Sequence, residues 1–161
     1  MIAGLLLALA FATHANAALR VGQAPPDSLG TDRNGQAIKL APQHGKVVVL
    51  TFWATWCGYC LKELPVLENL QRRLGKDRIE VVAINTDKDR AKYVAMRRKL
   101  KQFELTMTAD EDDELAKAYG VSGLPHMVLL DKAGKVAFVH IGYSEKALPG
   151  FVDEINTLLE E

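Results

Sequence analysis

Two cysteines, Cys57 and Cys60, are the only ones in this chain, and they sit in the run Trp56-Cys57-Gly58-Tyr59-Cys60. Thiols at this spacing can close into a disulfide and reopen by exchange with another disulfide. Competing uses of the pair are weak. A structural zinc site needs further Cys or His ligands close by, and no third cysteine exists. Covalent haem attachment needs His directly after the second cysteine, where this chain has Leu61. A purely structural disulfide would close too short a loop to constrain the unfolded chain much. Redox exchange is the chemistry this spacing favours.

The flanking sequence supplies the elements that must hold the pair. Val47 to Ala54 is an apolar run of buried-strand type, and Leu61, Leu64, Leu67, Leu70 and Leu74 follow as a helical stripe that Gly75 ends. Pro65 lies inside that helix and is expected to kink it. The cysteines therefore fall where a strand becomes a helix. Free N–H groups and the positive end of the helix dipole stabilise a thiolate there, so Cys57 is expected to be the exposed nucleophile. Cys60, one turn deeper, is expected to be the buried resolving thiol. Trp56 is expected as an apolar rim beside Cys57, and Trp53 as core.

At 161 residues, with 48% apolar and 25% charged positions, the chain suits one globular domain with a substantial core. Twenty basic and 20 acidic residues balance, which gives no general case for nucleic acid as a partner. Residues 1–17 differ in kind: Ile2 to Ala12 is almost unbroken apolar sequence, and Ala15-Asn16-Ala17 fits a secretory cleavage site. The expected division is a signal peptide at 1–17, lacking a basic n-region, and a domain at 18–161. The expected location is the periplasm or another extracytoplasmic space. With no cysteine near the cleavage point, lipid attachment there is excluded.

Downstream, Pro25-Pro26-Asp27 and Asp32-Arg33-Asn34-Gly35 mark turns, with 36–40 as a short hairpin arm. Residues 78–85 predict a buried strand, 87–103 a basic helix, 105–108 a short strand and 110–119 a short helix stopped by Gly120. Arg97-Arg98-Lys99 is read as a solvated face, with a partner surface as the alternative. Residues 127–130 and 135–141 predict a hairpin across the Asp131-Lys132-Ala133-Gly134 turn, and a last helix is led by Ser144. His44 and His140 are expected without partners, and strand alternation is expected to turn His126 away from the thiols. The fold class is α/β, with a mixed central sheet flanked by helices.

Phe52 to Cys60, with Pro65 five residues beyond the second cysteine and Gly123-Leu124-Pro125 ahead of a strand, resembles the thioredoxin superfamily. The Gly-x-x-x-Pro start at Gly22, the Gly45-Lys46-Val47-Val48 lead-in and the helical insert at 87–103 resemble its TlpA/ResA-like exported thiol–disulfide oxidoreductases. The resemblance runs from about Val21 to the end. It implies a thioredoxin-like fold with an N-terminal hairpin arm and a helical insert. It also implies a cis Pro125 packed on the cysteines, with the Leu124 backbone left to pair with an extended substrate. Thioredoxin carries a buried aspartate where this chain has Thr51, so the proton acceptor for Cys60 is expected to be Glu63, one helical turn on. Gly58-Tyr59 resembles the dipeptide of exported disulfide isomerases, and Leu124 replaces the commoner Thr, Val or Ile.

Together these readings predict a thiol–disulfide oxidoreductase without bound cofactor or metal, most simply a reductase. Cys57, Cys60, Glu63 and Pro125 would serve catalysis, and Trp56, Gly58, Tyr59 and Leu124 would bind substrate. The implied partners are exported proteins with disulfides or cysteine pairs, apocytochromes among them, and a membrane-bound thiol electron donor. A monomer is expected. The rivals are an oxidase or isomerase, a peroxidase and a non-catalytic binding module. A peroxidase is disfavoured because Leu50 and Ala54 stand where peroxiredoxins carry Pro and Thr.

Overall fold

The computed structural model describes residues 19–161; the expected signal peptide lies outside them. Seven strands form one sheet: β1 (Ser28–Thr31), β2 (Ala37–Lys39), β3 (Val47–Trp53), β4 (Ile79–Asn85), β5 (Thr106–Ala109), β6 (His126–Leu130) and β7 (Val136–Ile141). Their order is β2-β1-β5-β4-β3-β6-β7, with β3, β4 and β5 parallel and the outer strands antiparallel. The helices are α1 (Gly58–Leu74), α2 (Arg90–Lys99), α3 (Glu114–Ala118) and α4 (Leu148–Glu160). This is the mixed sheet and N-terminal hairpin that the sequence predicts.

Both faces of β3 are covered, as its continuous apolar run requires. Val47, Val49 and Trp53 join Leu64 and Leu67 of α1, Tyr93 of α2 and Ile155 of α4 in one cluster. Val48, Leu50 and Phe52 point the other way, onto Leu29, Leu115 and Tyr119. Alternation therefore decides which face each β3 residue serves, and Thr51 shares its face with Trp53.

Polar groups tie α1 to β4 and to the segment that leads into β5. Gln71 accepts the Val81 N–H at 2.7 Å, and Glu68 accepts the Glu104 and Leu105 N–H groups at 2.8 and 3.2 Å. Gly75, at φ 87°, ends the helix, and its N–H donates to Gln71. Pro65 lies within α1, which continues through it to Leu74.

The strands differ from the sequence reading by a residue or so at their ends, and three helices differ by more. α3 begins at Glu114, not Asp110, because Asp113 adopts a left-handed φ of 62°. Asp110 stays outside the helix and its carboxylate accepts the Leu115 and Ala116 N–H groups at 3.1 and 2.8 Å. α2 is shorter than 87–103, since Asp89 caps it through the Ala91 and Lys92 N–H groups and Leu100 closes it. The last helix does not start from a Ser144 cap. A 3₁₀ turn at Glu145–Ala147 intervenes, and α4 begins at Leu148 with Pro149 in its first turn.

Candidate functional site

The site forms where β3 ends and α1 begins. Cys57 is the N-cap of α1, and its Sγ accepts the Cys60 N–H at 3.2 Å. A helix-start donor aimed at this sulfur is the arrangement that favours a thiolate on Cys57. The two cysteines are joined as a disulfide with Cα atoms 5.3 Å apart. Cys60 is fully buried, while Cys57 keeps 7% of its surface and is the more accessible of the two. That is less exposure than a free nucleophile suggests. The cause is that Cys57 packs with Trp53 and Ala54 in the core cluster. Trp56 and Tyr59 stand out on either side, 74% and 61% exposed, while Trp53 is buried core.

The loop ahead of Cys57 is braced from β4. Buried Asp87 accepts the Thr55 N–H at 2.8 Å and the Thr55 hydroxyl at 3.2 Å. Asn85, also buried, donates from Nδ2 to Asp87 at 2.8 Å, and the Trp53 carbonyl accepts the Thr86 N–H at 2.9 Å. Sequence reasoning missed these positioning residues. The available signal was two polar side chains, Asn85 closing an apolar strand and Asp87 two residues on.

Glu63 departs most from an ordinary helix glutamate. It is only 3% exposed, on the buried face of α1 that also carries Cys60 and Leu64. Thr51 donates its hydroxyl to Glu63 Oε2 at 2.6 Å. Burial pushes the carboxyl up to about 7, and the Thr51 hydrogen bond opposes that only in part. The two other buried polar residues of α1, Glu68 and Gln71, are committed to backbone N–H groups. Glu63 alone meets only a side chain, and it lines an open cavity of about 280 Å³ with Met127, Ile141, Tyr143 and Leu148.

The 123–125 loop faces the same end of the sheet. The Leu124–Pro125 peptide is cis, Pro125 is buried, and the Pro125 carbonyl accepts the Gly142 N–H at 2.8 Å. Neither backbone group of Leu124 has a hydrogen-bond partner among the described residues. Gly58 opens α1 with nothing near the position a side chain would take.

Three histidines complete the picture. His126 pairs with Phe52 and sits edge-on to it on the sheet face away from the cysteines, so alternation does turn it away. Burial depresses its basicity. His140 contradicts the expectation that it lacks a partner: Nε2 lies 2.6 Å from Glu154 Oε2 of α4, which packs across β7. His44 is exposed, as expected.

Comparison with known proteins agrees with this geometry. A family model described as Redoxin matches residues 20–159. The thiol–disulfide oxidoreductase ResA of Geobacillus thermodenitrificans is 34% identical over 149 residues, spanning 88% of this chain and 84% of that protein. ResA of Bacillus subtilis is 33% identical over 123 residues, 75% of this chain and 67% of that one. Among solved structures, a Chlorobium tepidum protein described as a thiol:disulfide interchange protein DsbE superposes with a TM-score of 0.79 at 30% identity, over 88% of this chain and 99% of its own. A Bacteroides thetaiotaomicron protein described as a protein disulfide isomerase gives 0.75 at 30% identity, over 89% and 92%.

Proposed function

The chain belongs to the Redoxin family and is a thiol–disulfide oxidoreductase; from that premise we propose that it runs as a reductase of disulfides in exported proteins. In the dithiol form, the Cys57 thiolate attacks one sulfur of the client disulfide. A mixed disulfide forms and the other client sulfur leaves as a thiolate. Glu63 then takes the proton of the buried Cys60 thiol. The Cys60 thiolate attacks Cys57 Sγ, releases the second client thiolate and leaves the Cys57–Cys60 disulfide. Two electrons have passed to the client, and a membrane-bound thiol donor restores the dithiol. Trp56, Gly58 and Tyr59 form the rim against which the client lies, and Leu124, ahead of Pro125, pairs with its backbone.

The observation that carries this reading is the buried Glu63 on the Cys60 face of α1. A carboxyl titrating at about 7 can accept a proton from a thiol at neutral pH. It has the wrong sign to hold a thiolate, and strong oxidants of this chemistry depend on a stabilised reduced form. Export through residues 1–17 would bring the enzyme to its clients, of which apocytochromes awaiting haem are one class. It would act there as a monomer. The Gly58-Tyr59 dipeptide favours a second reading, an isomerase or oxidase.

The test uses Cys60→Ser, which should accumulate the client as a mixed disulfide on Cys57, while Cys57→Ser should trap none. Glu63→Gln should then flatten the pH dependence of Cys60 attack in the otherwise native enzyme. An unchanged pH profile removes Glu63 as the acceptor. Net oxidation of a reduced client by the disulfide form, outpacing reduction by the dithiol form, would reverse the assigned direction.

A further inference from the structure

A second cavity, of about 470 Å³, opens between α2 and the β1–β5 edge, and it shares no residue with the disulfide site. This volume is within the range of small-molecule sites. Its charge does not follow the neutral chain: Arg33, Arg90, Arg97, Arg98 and Lys101 line it against only two carboxylates, Asp32 and Glu111, an excess of three positive charges.

The two carboxylates offset only part of this charge, and Asp32 does so for Arg33 and Arg97 without an ion-pair contact. Glu111 pairs with Arg90. Asp32 Oδ1 accepts the Asn34 and Gln36 N–H groups at 2.8 and 2.9 Å, which holds the carboxylate in its own turn, where it keeps its charge. Among the described residues, Arg33, Arg97, Arg98 and Lys101 have no carboxylate within ion-pair distance.

Arg97 is the informative member. Its Nη1 is buried and has no hydrogen-bond partner among the described residues, while its guanidinium centre lies 5.9 Å from the Tyr93 ring centroid. A buried N–H without an acceptor is costly, and an oxyanion in the cavity would relieve it. The remaining wall is apolar, with Val94, Leu100, Phe103 and Leu105. Arg98 and Lys99 of the basic run are exposed, as a solvated face requires, while Arg97 turns its guanidinium inward.

We propose that this cavity binds a small organic anion, with its oxyanion on Arg97 and neighbouring cations and its apolar body against Phe103 and Leu105. The claim is independent of the direction of electron flow.

Two probes of one skeleton test it: 8-anilinonaphthalene-1-sulfonate and its uncharged analogue N-phenyl-1-naphthylamine, titrated by fluorescence into the folded protein. The sulfonate should bind saturably at one site per chain, and more tightly than the neutral amine. Arg97→Gln should weaken it roughly tenfold or more, the loss expected for one charge-assisted hydrogen bond. Lys101→Gln, an exposed change, should weaken it less, and rising salt should weaken it further. Thermal unfolding of each variant separates lost binding from lost structure, and thiol–disulfide exchange should be unaffected. The proposal is overturned by no saturation up to ~1 mM, by equal binding of the two probes, or by wild-type affinity in a folded Arg97→Gln protein.

Discussion

Replacing Glu63 with Gln should make the protein's stability less dependent on pH, and the size of the effect follows from burial. The carboxyl moves from an ordinary 4.5 to about 7 on folding. At ~1.36 kcal/mol per unit, keeping it ionised in the folded state costs about 3.4 kcal/mol. A raised acid pKa means that the native state binds more protons than the unfolded state between these two values. Stability therefore falls as pH rises through that window. Below 4.5 both states are protonated and no penalty exists; above 7 both are ionised and it is fully expressed. Integrating between pH ~5 and ~8 gives a loss of about 2.5 kcal/mol that the wild type suffers and Glu63→Gln does not. Urea unfolding of the disulfide forms at both pH values measures it, and contributions from other titrating groups cancel between the two proteins. Parallel pH dependence in wild type and variant would refute the claim that Glu63 is buried and titrates near neutrality.

Other perturbations follow from the same contacts. Thr51→Val removes the hydroxyl that holds the Glu63 carboxyl down, so the midpoint of Cys60 reactivity should move to higher pH, read from alkylation rates of the dithiol form. Asp87→Ala leaves the Thr55 N–H without its carboxylate acceptor; a loss of about 1.5–3 kcal/mol is expected in chemical unfolding, with slower exchange at Cys57. Trp56→Ala should stay within ~0.5 kcal/mol of wild-type stability because the side chain is 74% exposed, yet raise KM for a protein disulfide. Leu67→Ala opens the core beneath α1 and should cost about 2–5 kcal/mol in chemical unfolding.

Much of the site was legible because its signals are local. The Cys57–Cys60 spacing, the β3 run before it, the helical stripe after it and the Gly123-Leu124-Pro125 loop are each read within a few residues. The cysteine face of β3 follows from alternation, which also places His126 on the other side. What escaped depends on contacts between distant parts of the chain. Asp87 braces a loop 32 residues earlier, and His140 finds Glu154 14 residues later. Glu63 could be placed one turn from Cys60, but its burial follows from how α1 lies against β3, 12 residues back. At α3, acidic residues that look like a helix start serve different ends: Asp110 caps from outside, and Asp113 takes the left-handed turn.

Glutathione titration of the Cys57–Cys60 couple, followed by Trp fluorescence, tests the reductase assignment most directly, since Trp56 adjoins Cys57 and Trp53 packs in the same core cluster as the pair. A reductase predicts a potential near about −270 mV, where thioredoxin lies. A value between about −180 and −120 mV, the range of isomerases and oxidases, would contradict it and with it the need for a membrane-bound electron donor.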